Sequence, residues 1–116
     1  MGFVDRIARW VPGTVPEITP NELAALLRDE GCIVVDVRTG AEHAVSRIPG
    51  SVSMPIHRFD PDALGMSLDA RIVAVCLSAH RSIPAVRLLR ERGYAQAVQL
   101  RGGMLAWWKA GLPVEP

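Results

Sequence analysis

The stretch IVAVCLSAHRSIPAVRLLRERG, residues 72–93, decides how this chain folds. Ile72 to Cys76 is an unbroken apolar run, as expected of a strand buried on both faces of a parallel sheet. From Ser82 to Arg92 the apolar positions recur at helical spacing, and Gly93 ends the pattern. Five residues separate Cys76 from Ser82. A thiol at the end of a buried strand therefore looks across a tight loop at a helix N-terminus.

The same alternation continues on either side. Upstream, Thr19-Pro20-Asn21-Glu22 is a helix start: Thr19 caps, Pro20 suits the first turn, and Glu22 completes a capping box. Leu23, Leu26 and Leu27 supply its apolar stripe, and Gly31 ends it. Cys32 to Asp36 is a second apolar strand. Residues 41–46 suit a short helix, Ser51 to Met54 a short strand after the Pro49-Gly50 turn, and Asp60 to Leu64 a helical turn. Downstream, Ala97 to Leu100 is a strand and Gly103 to Ala110 a last helix, stopped by Gly111 and Pro113. Strands and helices that alternate with short connections predict an α/β domain, a mostly parallel sheet with helices on both faces. Ligands of such sheets bind outside the carboxyl ends of the strands, where Cys76 falls.

A chain of 116 residues that is 49% apolar suits one domain with a proper core. Residues 1–15 read as an N-terminal extension, with Phe3, Ile7 and Trp10 at helical spacing, and residues 16–116 as the domain. A formal charge of +1 announces no surface for nucleic acid. Cys32 and Cys76 make neither a disulfide framework nor a zinc motif, and His43, His57 and His80 are scattered, so no metal is expected. The N-terminal stretch is broken by Asp5, Arg6 and Arg9. It reads as neither signal peptide nor membrane span, and a cytoplasmic setting is the expectation.

The nucleophilic form of cysteine is the thiolate. Lowering a thiol pKa by two units takes about 2.7 kcal/mol. A helix N-terminus supplies roughly 0.3–1 kcal/mol of that, or about 2 when partly buried. Loop N–H groups that converge on the sulfur, with Arg81 and a protonated His80, must share the rest. Cys32 opens an apolar strand with no basic residue beside it and reads as an inert packing cysteine.

Four blocks of residues, taken in order, resemble the single-domain rhodanese-like sulfurtransferases. They are Asp36-Val37-Arg38 with Glu42; Arg47-Ile48-Pro49-Gly50-Ser51 with Met54-Pro55; Cys76-Leu77-Ser78-Ala79-His80-Arg81-Ser82; and Leu100-Arg101-Gly102-Gly103 with Ala106-Trp107 and Ala110 to Val114. The resemblance spans Ile18 to Val114. It implies a rhodanese-like three-layer α/β/α fold and transfer of sulfur through a persulfide on Cys76, with no cofactor. It also implies that the Leu77–Ser82 loop holds the persulfide. The implied donor is a small thiosulfate-like anion, and the implied acceptor is cyanide, a thiol or a protein. A non-catalytic binding module on the same fold is the first alternative, and the cysteine speaks against it. A phosphatase or arsenate reductase is the second. Related phosphatases carry five residues between Cys and Arg, where this chain has four, and a phosphate needs the wider ring of donors.

Ala79 stands where many members have glycine, and a left-handed backbone there would cost roughly 1–2 kcal/mol. Leu77 replaces a basic residue found in some thiosulfate users, and Ser46-Arg47 replaces Gly-His. Arg81 has two readings: it draws the anionic donor, or it pairs with a carboxylate and braces the loop. Asp36 and Arg38 are supporting residues at a neighbouring strand end, read as part of a structural ion pair such as Arg38 with Glu42. Arg47 is a supporting positive charge or a solvated one. Ser82 reads as a helix cap, His80 as exposed, Trp107 as core, and Trp108 as partly exposed. Gly102-Gly103 permits a tight strand-to-helix turn.

Overall fold

The computed structural model describes residues 14–116. Its elements are β1 (Glu17–Ile18), α1 (Pro20–Asp29), β2 (Ile33–Asp36), α2 (Gly40–Val45), β3 (Val52–Ser53), two 3₁₀ turns (Ile56–Arg58 and Pro61–Leu64), β4 (Ile72–Val75), α3 (Ser82–Glu91), β5 (Ala97–Leu100) and α4 (Gly103–Lys109). The strands lie in the order β1-β5-β4-β2-β3, and every pair in this sheet is parallel. The expected α/β architecture is therefore present. The expected helix over residues 3–10 lies outside the described residues.

Each half of the alternation finds its partner. Strand positions that point one way, Val34, Val73, Val75, Val98 and Leu100, pack with Leu23 and Leu26 of α1 and Met104 and Trp107 of α4. Positions that point the other way, Val35, Ile72, Ala74, Cys76 and Ala97, pack with Ala85, Val86 and Leu89 of α3. The 3₁₀ turns extend that second layer through Ile56, Phe59 and Leu64. Because both faces are covered, β4 is buried at every position, which is why its sequence shows no polar alternation.

Local signals set the helix ends. In α1, Thr19 accepts from the Glu22 N–H and the Glu22 carboxylate accepts from the Thr19 N–H, the reciprocal box read from sequence. Thr39 and Glu42 build a second box at the start of α2. Its Thr39-Gly40-Ala41-Glu42 run carries the same local signal as the box at Thr19. The two-residue β1 is also a finding. Pro16, unable to donate, leaves a run too short to read as a strand, yet its carbonyl accepts from Gln99 N (3.0 Å) and Arg101 N donates to Ile18 O (2.9 Å). Trp107 is buried as expected, and its indole N–H is satisfied by Pro113 O at 2.8 Å.

Candidate active site

Strand β4 is central, and α3 returns over it after a loop. The chain from Cys76 to Arg81 is therefore fixed at both ends by buried elements. Cys76 continues the β4 alternation on the α3 face and is 1% exposed. The Ala79 N–H donates to Cys76 Sγ at 2.9 Å. To bring that amide inward the backbone turns left-handed at Ala79, with φ +78°, the one non-glycine positive φ among the described residues. The glycine-like conformation is thus kept with a Cβ on it, at a cost of roughly 1–2 kcal/mol. A strained residue beside a buried thiol is one mark of a candidate site.

The loop is also gripped from below. Met104 N donates to Cys76 O (2.8 Å) and Leu105 N to Leu77 O (3.0 Å), so the free N–H groups at the start of α4 hold the loop's first two carbonyls. Gly103 permits this approach. A Cβ built there would lie 2.3 Å from Cys76 O and 2.6 Å from Leu77 O. The Gly102-Gly103 pair does make the tight turn, with φ of +73° and +58°, and it also seats α4 against the loop.

Arg81 is turned to Glu42. Its two terminal nitrogens meet the two carboxylate oxygens at 2.8 and 3.1 Å, the bidentate geometry that suits a guanidinium. This pair ties the loop to α2. The Arg81 hydrogen bonds pull the Glu42 carboxyl from 4.5 down to about 2, with bonds from Thr39 adding to the effect against some burial. Glu42 in turn holds the Arg81 proton more firmly than usual, helped by the nearby Cys76 and Asp36.

The expected Arg38–Glu42 pair does not form. Arg38, 2% exposed, pairs instead with Asp36, 1% exposed, through contacts of 2.7 to 3.2 Å, and donates to Ser46 O at 2.7 Å. The physical reason is the strand end. Asp36 closes β2 and Arg38 lies two residues on, in the bend that follows, where Asp36 Oδ1 also accepts from the Arg38 N–H. Arg47 pairs with Glu115 at 3.3 Å and donates to His43 O, so these contacts brace the C-terminal segment. Ser82 is not the cap of α3; Arg81 holds the N-cap position and makes no side-chain cap bond. Ser82 is the first helical residue, fully buried, with its hydroxyl between Cys76 Sγ and Gln99. His80 is exposed and meets Ser78 Oγ at 3.0 Å. Cys32 is half-buried, and burial pushes its thiol up to about 12 despite the nearby Arg71, a basic neighbour that adjacency in sequence does not reveal.

Sequence reasoning missed two residues linked to Ser82: Gln99, which bonds its hydroxyl, and Glu17, which bonds Gln99. Gln99 lies in a buried strand, where one polar residue in Ala97-Val98-Gln99-Leu100 was a usable signal. Glu17, its register partner on β1, gave no signal. A cavity of ≈ 390 Å³ opens beside the loop, lined by Arg38, Ala41, Glu42, Val45, Leu77 and Trp108. Trp108 donates its indole N–H to Ser46 Oγ (3.0 Å), and the Arg38 guanidinium lies 5.9 Å from its ring centre. No cluster of three or more metal-binding side chains occurs among the described residues, and no described helix is long and apolar enough to cross a membrane.

An all-parallel three-layer α/β domain with a cysteine loop at the end of its central strand defines a class, and the comparisons supply its family. The rhodanese-like domain family matches residues 19–110, and the chain belongs to that family. It is 37% identical over 101 residues to a protein named sulfurtransferase from Allochromatium vinosum, which covers 86% of this chain and 94% of that protein. It is 32% identical over 96 residues to thiosulfate sulfurtransferase GlpE of Pseudomonas fluorescens, covering 83% and 87%. Among solved structures, a rhodanese-like domain protein from Staphylococcus aureus superposes with a TM-score of 0.74 at 31% identity, covering 86% of this chain and 98% of that one.

Proposed function

We propose that this protein transfers sulfane sulfur through a persulfide on Cys76. Membership of the rhodanese-like family and relatives named as sulfurtransferases support sulfurtransferase activity in general. The observation that carries the specific mechanism is the Ala79 N–H aimed at Cys76 Sγ from a left-handed loop that faces the start of α3. That amide and the helix terminus favour negative charge on sulfur.

The Cys76 thiolate would attack the outer sulfur of a thiosulfate-like donor. The S–S bond of the donor breaks and sulfite leaves with the electron pair. The enzyme then carries Cys–S–S⁻, its charged outer sulfur held by loop N–H groups. Cyanide or a thiol, including one on a protein, attacks that outer sulfur and restores the Cys76 thiolate. No cofactor enters either step. The cavity beside Leu77 and Trp108 would receive the acceptor, and its apolar wall suits a thiol better than an anion. A reducing, cytoplasmic setting belongs to this proposal, since both cysteines are free and the nucleophile must stay so.

Arg81 speaks against phosphate chemistry. Only four residues separate it from Cys76, one fewer than in the related phosphatases, so the ring of loop donors is narrow for a phosphate. The testing experiment is thiosulfate:cyanide transfer, followed as thiocyanate, with Cys76→Ser alongside. Mass spectrometry after thiosulfate treatment should find one added sulfur on Cys76. Turnover that survives Cys76→Ser would refute the nucleophile.

A further inference from the structure

A hydrogen-bonded chain runs from the Cys76 sulfur through the α3 face of the sheet to the surface. Cys76 Sγ lies 3.5 Å from Ser82 Oγ. Ser82 Oγ donates to Gln99 Oε1 at 2.6 Å. Gln99 Nε2 donates to Glu17 Oε2 at 3.3 Å, and Glu17 Oε1 accepts from Arg101 Nε at 2.6 Å. Ser82 and Gln99 are buried, whereas Arg101 is exposed.

The direction of each bond is forced. A carboxylate only accepts, so Glu17 makes Gln99 present its NH₂ group. Gln99 must then offer its oxygen to Ser82. The hydroxyl has one proton, and that proton goes to Gln99. What Ser82 turns toward Cys76 is a lone pair. A lone pair accepts from S–H but gives nothing to S⁻. A thiolate could recruit the Ser82 proton only by leaving the buried Gln99 oxygen without a donor.

We infer that Glu17 and Gln99 are positioning residues that set the Ser82 hydroxyl as an acceptor toward Cys76, able to take a bond from S–H but with no proton to offer S⁻. The inference rests on the proposed persulfide route for its meaning. In the persulfide the charge sits on the outer sulfur, and the inner sulfur facing Ser82 is neutral. The chain therefore disfavours the bare thiolate relative to the loaded enzyme. Of the other groups on the loop side, the Ala79 N–H donates to the sulfur, and Arg81, paired with Glu42, feels the charge of Cys76 and of Asp36, itself paired with Arg38; His80 meets Ser78. The first turns of α3 and α4 carry no acidic side chain.

The test is the thiolate absorbance of the full chain followed against pH, with Cys76→Ser as the blank. Cys32, pushed up to about 12, stays silent in the useful range. Gln99→Leu removes the acceptor for the Ser82 proton. Glu17→Gln lets the Gln99 amide turn over, and lies on an edge strand where folding is little at risk. Either change lets the Ser82 hydroxyl donate to S⁻, and the midpoint should fall below that of the unaltered chain. The same changes made on Ser82→Ala should move the midpoint far less. A fall that persists without Ser82, or no fall in either variant, overturns the inference. Sulfur transfer is measured separately. A midpoint shift in a protein that transfers no sulfur would sink the proposed function and leave the chain's role standing.

Discussion

Replacing Gly103 by alanine should unlock the loop from α4. The backbone at Gly103 has φ +58°, so any Cβ costs about 1–2 kcal/mol there. Unlike a surface position, the Cβ also has nowhere to go. It would meet Cys76 O at 2.3 Å, Leu77 O at 2.6 Å and Leu77 C at 2.7 Å, all backbone atoms. Relieving such overlap typically costs about 1–3 kcal/mol. The relief must lengthen the Met104–Cys76 and Leu105–Leu77 hydrogen bonds, now 2.8 and 3.0 Å, at about 1 kcal/mol each. Together these predict a loss of about 4–7 kcal/mol, a large share of a typical stability of about 5–15 kcal/mol. Gly111→Ala is the control. It shares the positive φ, at +69°, but has nothing within 4 Å of the built Cβ, so it should lose only the conformational part. Urea midpoints at unchanged slope read both. Equal losses in the two variants would show that the contact between α4 and the loop is not what Gly103 provides.

Ala79→Gly should relieve the strained φ while adding glycine's unfolded-state entropy, a net gain of about 0.5–1 kcal/mol. A melting temperature that fails to rise by about 3–5 °C would argue that the loop is unstrained. Arg38→Met leaves Asp36 buried without its partner and should cost about 3–5 kcal/mol, much of it recovered when Asp36→Leu is added. If the double variant is no more stable than the single one, the pair is not the cause. Glu42 binds fewer protons folded than unfolded, since its pKa lies at about 2 against 4.5. Its contribution is therefore full above pH 4.5 and is lost as pH falls toward 2. The pair is partly exposed, so the contribution is about 1 kcal/mol or less. Glu42→Gln should flatten that part of the acid unfolding curve, and an unchanged acid limb would place the acid sensitivity elsewhere.

What could be read from sequence is what neighbouring residues decide among themselves. The capping box at Thr19 closes over three residues, and the β4 run is long enough to declare a strand buried on both faces. The cysteine loop falls between two strong elements, so its position followed from theirs. The family blocks added the chemistry that the resemblance implies, because those residues stand in one order at one spacing. The pairing of charges did not follow. Arg38 had Asp36 and Glu42 within four residues, and the bend after β2 chose Asp36. That left Glu42 for Arg81, 39 positions away. Ser82 looks like a cap in sequence, yet the turn of α3 over β5 puts its hydroxyl on Gln99. Glu17 and Gln99 are 82 positions apart and meet only because β1 adds to the edge beside β5. Local hydrogen bonds and apolar periodicity are properties of the chain itself, and they determined the elements and the place of Cys76 between them. Which polar group each buried side chain faces depends on the order of strands in the sheet, and only the packed structure decided that.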